Sequence, residues 1–191
     1  MNLQPISKLH HSAYRCRDAE QTRWFYEDVL GLKLGAALEF KQMSGTDIDR
    51  NYMHLFFDIG DGSFIAFFDQ PAAADERKFE PLDGMDKHFA FRVEREEELE
   101  GWKTRIKAAK VKCVGPVDHG FCKSIYFYDP NGLQLEIACN SAAYSPIMSA
   151  KAASAHETLK EWTQKTRANK ERLFGAEALD RRRVDTLMPT T

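Results

Sequence analysis

Three side chains have the types and spacing to hold a metal: His11, His88 and Glu136. His11-Ser12-Ala13-Tyr14-Arg15 and His88-Phe89-Ala90-Phe91-Arg92 repeat one pattern, H-x-A-x-R. Side chains of a strand alternate between its faces, so His11, Ala13 and Arg15 share one face and His88, Ala90 and Arg92 share another. This parity selects His11 over His10 as the inward residue. In LQLEIAC, the apolar face is Leu133, Leu135, Ile137 and Cys139, which leaves Gln134, Glu136 and Ala138 opposite. A buried carboxylate is costly unless it is paired, hydrogen-bonded or bound to a cation. Two imidazoles and one carboxylate with open positions form the facial set that suits non-haem Fe(II). Taken singly, each residue is better explained as an ordinary core or surface histidine or a paired acid. Matching positions in two repeats shift the set toward a metal site. Ala66 is the first-repeat counterpart of Glu136, so a second carboxylate ligand is not expected.

The elements that must position these residues repeat as well. KLHHSAYRCR reads as a strand, followed by a helix AEQTRWFYEDVLG that Asp18 caps and Gly31 ends. A short strand near 32–38 precedes the alternating runs MHLFFDI and SFIAFFD, joined by the hairpin signal Gly60-Asp61-Gly62. After a Pro-, Ala- and charge-rich stretch the order recurs. KHFAFRVE is a strand, REEELEGWKTRIKAAK a helix, and VKCVGPV, SIYFYD and LQLEIAC three more strands. The expected fold is α+β: two βαβββ modules, about residues 7–70 and 86–140, forming one curved sheet around the metal, with a C-terminal helix. Residues 1–140 make the domain, and 141–191 a linker, helix and tail in which Leu159, Trp162 and Phe174 are sparse apolar positions. Trp24 and Trp102 are expected to pack helix against sheet, and His54 to be partly exposed.

Composition narrows the function classes. The chain has 191 residues and a formal net charge of −2, which gives no global reason to bind nucleic acid or an anionic membrane. No run approaches the roughly 18 apolar residues of a membrane span, and the N-terminus lacks a secretion signal, so a cytoplasmic protein is expected. Cys16, Cys113, Cys122 and Cys139 are scattered without C-x-x-C spacing, which favours reduced, buried thiols.

With these residues in view, positions 6–140 resemble the vicinal oxygen chelate superfamily of glyoxalases, bleomycin-binding proteins, fosfomycin resistance proteins and type I extradiol ring-cleaving dioxygenases. The features that carry the resemblance are the two H-x-A-x-R starts, RDAEQTRWFYEDVLGLKL and the closing DPNGLQLE. Val117-Asp118-His119, Ile125-Tyr126, Asp129-Pro130-Asn131-Gly132 and Glu136 follow the extradiol signature in order and spacing. The resemblance implies that Glu136 is an iron ligand and that His119 and Tyr126 act beside the substrate oxygens. It further implies Fe(II), with Mn, Zn or Ni as alternatives, a small aromatic diol and O2 as reactants, and a homodimer. The expected reaction is extradiol cleavage of a catechol-type diol chelated to iron through both oxygens. His119 can shuttle a proton, Tyr126 can hydrogen-bond a diol oxygen, and Phe64, Phe68 and Phe121 can wall the ring.

One departure stands out: extradiol enzymes carry a further histidine on the last strand of the preceding module, where this chain has Ser63 or a glycine. Two other classes compete. A glyoxalase-like lyase, isomerase or thiol transferase of the same superfamily would usually have the carboxylate that Ala66 replaces. A metal-free binding protein for an antibiotic or other small aromatic would leave His11, His88 and Glu136 unexplained.

Overall fold

The computed structural model describes residues 3–43 and 45–180. Residues 3–142 and 143–180 belong to two compact units. The first contains two βαβββ modules. Strand β1 (His11–Cys16) is followed by helix α1 (Ala19–Arg23), which continues as a π-helical segment over Trp24–Val29, then by β2 (Lys33–Gln42), β3 (Asp49–Asp58) and β4 (Phe64–Asp69). The second module repeats this order as β5 (His88–Val93), α2 (Glu97–Ala108), β6 (Cys113–Asp118), β7 (Cys122–Tyr128) and β8 (Gln134–Asn140). Asp18 caps α1 by accepting from the Gln21 amide at 2.7 Å. Gly31 ends the helical stretch with φ +78°, a left-handed conformation that glycine adopts without steric cost.

The strands are longer than the sequence pattern suggests. β2 runs to Gln42, and β3 begins at Asp49 rather than near Met53. The expected α+β fold of two βαβββ modules and a C-terminal helix is present, its strands arranged as two four-stranded sheets, ordered β1-β4-β3-β2 and β5-β8-β7-β6. In each, the first strand lies at the edge and pairs in parallel with the last strand of its module. Local alternation dictates these pairings within a module; joining β1 to β5 is a long-range event that no local pattern encodes.

One apolar core runs through both modules. The faces opposite the histidines contribute Leu55, Phe57, Ile65 and Phe67 from the first sheet and Ile125, Phe127, Leu135 and Ile137 from the second. Phe25 and Tyr26 of the first module, and Leu99 and Ile106 of α2, are fully buried among them. Trp102 packs against this core, whereas Trp24, at 40% exposure, does not serve the packing role expected of it.

The Asp129-Pro130-Asn131-Gly132 turn does more than aim β8. The Asp129 carboxylate accepts from the amides of Asn131 and Leu133, both at 2.8 Å, and from the Tyr26 hydroxyl at 3.0 Å. Asn131 accepts from the Arg17 amide at 2.9 Å and donates to Thr22 Oγ1 at 3.3 Å. A polar latch therefore ties the start of the first module to the final hairpin of the second. Gly132 has φ +77°, and a Cβ there would collide with the backbone of Phe79 and Glu80.

The second unit consists of helix α3 (Tyr144–Phe174) and short helix α4 (Ala176–Asp180). Helix α3 begins earlier than the Ala- and Lys-rich stretch suggests and takes up Pro146 in its first turn, where proline is tolerated. Arg167 joins the two helices by a forked ion pair to Asp180 at 2.8 and 2.9 Å. Leu159, Trp162 and Phe174 are exposed. Arg181–Arg183 and the final MPTT, expected to fray, lie outside the described residues. No described helix is long and apolar enough to cross a membrane.

Candidate functional site

The inner face of the second sheet carries one group of candidate residues. His88 opens β5 and Glu136 stands on the neighbouring β8, with His88 Nε2 3.6 Å from Glu136 Oε2. The other ring nitrogen, Nδ1, donates to the Gly84 carbonyl at 2.8 Å, which fixes the ring with Nε2 turned to the carboxylate. A Cβ at position 84 would collide with the Gln134 carboxamide, so glycine there lets the carbonyl reach the ring. Glu136 is 8% exposed. Opposite it in register on β7 is Tyr126, whose hydroxyl lies 2.8 Å from His119 Nε2. Burial, with Glu136 alongside, raises the Tyr126 phenol above its ordinary pKa, so it stands as a donor rather than a phenolate.

A second group lies on the inner face of the first sheet. His11 is in edge contact with Phe56 at a ring-centroid distance of 5.6 Å and with His54 at 6.3 Å. His54 stacks on Phe68 at 3.9 Å, and its Nε2 is buried without a hydrogen-bond partner. Burial, and the neighbouring His11, lower the His54 pKa. His10 precedes β1, so strand alternation does not govern it, and its Nδ1 lies 2.7 Å from His11 Nδ1. His11 faces inward, and His10 is its neighbour outside the strand.

The module echo holds in register. Ala13 is paired with Ala66 exactly as Ala90 is paired with Glu136, so the first sheet has methyl where the second has carboxylate. What the single chain does not do is gather His11, His88 and Glu136 at one point. Among the described residues, no group of three or more His, Cys, Asp or Glu is placed to hold a metal ion. His88 and Glu136 fit such an ion as a pair, with a free imidazole nitrogen, an oriented ring and a buried carboxylate. His11 stands apart from them in the first sheet.

His54 is part-buried, in line with the partial exposure expected of it, and its strand does turn it inward. Leu55 and Phe57 are core residues, and alternation then turns His54 and Phe56 inward. Ser63 proves to be a turn residue whose amide and hydroxyl both donate to Asp61, at 2.8 and 2.6 Å. Phe64 and Phe68 lie on the same inner face as His54, whereas Phe121 is 38% exposed, near His119 at a ring-centroid distance of 6.4 Å. All four cysteines are free and buried, and burial pushes the Cys16 thiol up to about 12.

Repeated modules with histidines heading their edge strands and a glutamate on the last strand define a class. Residues 8–137 match the Glyoxalase/Bleomycin resistance protein/Dioxygenase superfamily, and the chain belongs to it. A Bacillus subtilis (strain 168) protein, MhqA, whose name provisionally assigns it as a ring-cleaving dioxygenase, is 36% identical over 61 residues. That stretch is 32% of this chain and 19% of the relative, so the chain spans a small part of it. Among solved structures, the fosfomycin resistance protein FosX from Listeria monocytogenes, complexed with Mn(II) and sulfate, shares the fold. Its TM-score is 0.52 at 22% identity, covering 73% of this chain and 98% of that one. An integron cassette protein from the Halifax Harbour Sewage Outfall metagenome has a TM-score of 0.50 at 26% identity, covering 70% and 99%. The superfamily includes dioxygenases, glyoxalases and fosfomycin resistance enzymes.

Proposed function

We propose that the chain is an Fe(II)-dependent extradiol dioxygenase that cleaves a catechol-type aromatic diol with O2. The observation that carries this reading is the approach of His88 to Glu136 beside a hydrogen-bonded His119–Tyr126 pair, with Tyr126 in register with Glu136 on the adjacent strand. His88 and Glu136 would hold the metal, and His11 of a second copy would complete the ligand set. The edge positions of β1 and β5, each paired on one side only among the described residues, support that completion. When bound, the metal supplies electron transfer between diol and dioxygen.

The chain's own residues handle geometry and protons. The Tyr126 hydroxyl donates to a diol oxygen, and His119 Nε2, 2.8 Å from that hydroxyl, takes up and returns a proton. His54, with an uncommitted nitrogen near His11, provides a further imidazole where the turn at Ser63 provides none. Glu136 holds its carboxylate out of water beside a half-exposed His88, whose open side leaves room for a substrate.

Absence of a carboxylate at Ala66 weighs against the glyoxalase-like reading. Oxygen uptake by anaerobically iron-loaded protein, followed with a panel of catechols, tests the proposal. Uptake with a yellow ring-opened product is the expected result. No uptake with any catechol by an iron-containing sample would favour a lyase, isomerase or transferase of the same fold.

A further inference from the structure

Beyond His54, the inner face of the first sheet opens into a cavity of ≈ 410 Å³, within the size range of small-molecule sites. Its walls are aromatic. Phe40 and Tyr52 stack at 5.0 Å on one side, and Phe68 lies under His54 on the other. Two guanidinium groups, Arg15 and Arg50, line the same space. Arg15 Nη1 is buried with no hydrogen-bond partner, and Arg50 meets Met43 Sδ at 3.9 Å. Among the described residues, neither guanidinium is paired with a carboxylate.

Two unpaired cations in an aromatic wall carry a desolvation cost that an anion bound between them would offset. A carboxylate is the natural partner, because the guanidinium fork matches its two oxygens. We infer that this cavity recognises the anionic end of an aryl acid, so that the substrate is an aromatic diol carrying a carboxylate. This inference rests on the ring-cleavage reading for the diol and on the cavity alone for the acid. Arg15 follows His11 by four residues on β1, about 13 Å along a strand. That spacing suits a ring with an acidic side arm better than a ring bearing its carboxylate directly.

Equilibrium binding to the full chain of 3-phenylpropionate and its neutral counterpart 3-phenylpropan-1-ol tests the acid site without diol, metal or O2. The acid is expected to bind about tenfold more tightly than the alcohol, and Arg15→Leu and Arg50→Leu should each remove most of that preference. Circular dichroism checks that each variant is folded, and the neutral Arg15→Gln serves if the leucine variant is not. Equal affinity of acid and alcohol for the unaltered chain would overturn the inference, as would a preference unchanged in both folded variants. Oxygen uptake with 3-(3,4-dihydroxyphenyl)propionate and 4-propylcatechol then separates the two readings. Equal turnover of both removes the acid site and keeps ring cleavage. Acid-selective binding with uptake of neither keeps the acid site and removes ring cleavage.

Discussion

His88 is oriented through Nδ1 on the Gly84 carbonyl, which turns its free Nε2 toward Glu136. His11 has a comparable neighbour in His10, whose Nδ1 lies against its own at 2.7 Å and leaves Nε2 free. Groups that orient a ligating imidazole in this way typically contribute about 10–100-fold to metal affinity. His10→Ala is therefore expected to weaken Fe(II) binding by about that factor while leaving a measurable site, in a competition titration against a chromogenic chelator. An affinity indistinguishable from the unaltered protein would show that His10 has no part in orienting His11. Much at this scale was legible in the sequence, because H-x-A-x-R occurs twice and strand parity is strict inside a strand. The contact between His10 and His11 was not legible, because His10 stands just before β1, where parity does not apply. His54 was read as a residue at a strand beginning, where its facing was left open; β3 extends back to Asp49 and so carries the histidine well inside its alternation.

At the scale of elements, the latch between the π-helical segment of the first module and the final hairpin of the second is the feature with most at stake. Burial raises the Asp129 carboxyl above its ordinary range, and the donors around it work in the opposite direction. A carboxyl with a raised folded pKa contributes stability that is complete below its unfolded value, about 3.9, and is lost as pH rises through the folded value. Tyr26→Phe removes one donor at 3.0 Å and raises that folded value further. Its thermal stability should fall by about 1.5–3 kcal/mol near neutrality, with a smaller deficit in acid where Asp129 is protonated. A deficit independent of pH would mean that the hydroxyl does not bond the carboxylate. The DPNG turn was readable from sequence, but its partner Tyr26 lies 103 residues away, and no local spacing reports such a contact.

For the whole molecule, the division into two separate sheets is the consequential feature. Each module is complete in its own strands, yet the three proposed ligands are split between the sheets, with β1 and β5 as edges. A second copy that brings its β1 to this β5 would assemble the set, and the expected homodimer acquires a chemical reason. Mixing Glu136→Ala protein with His11→Ala protein tests this. Each variant alone should be inactive, whereas the mixture should recover part of the activity, because one hybrid site takes His11 from one copy and His88 with Glu136 from the other. No recovery after verified subunit exchange would place the ligands in a single chain. The symmetry of the modules was legible from the repeat; the choice between closing within a chain and closing between chains was not, since both use the same strand edges.

The central claim is that His11, His88 and Glu136 together hold one iron. Iron retained per chain after anaerobic loading and desalting tests it most directly. About one iron per chain is expected for the unaltered protein, and essentially none for His88→Ala. Equal retention in the two, or none in the unaltered protein, would contradict it.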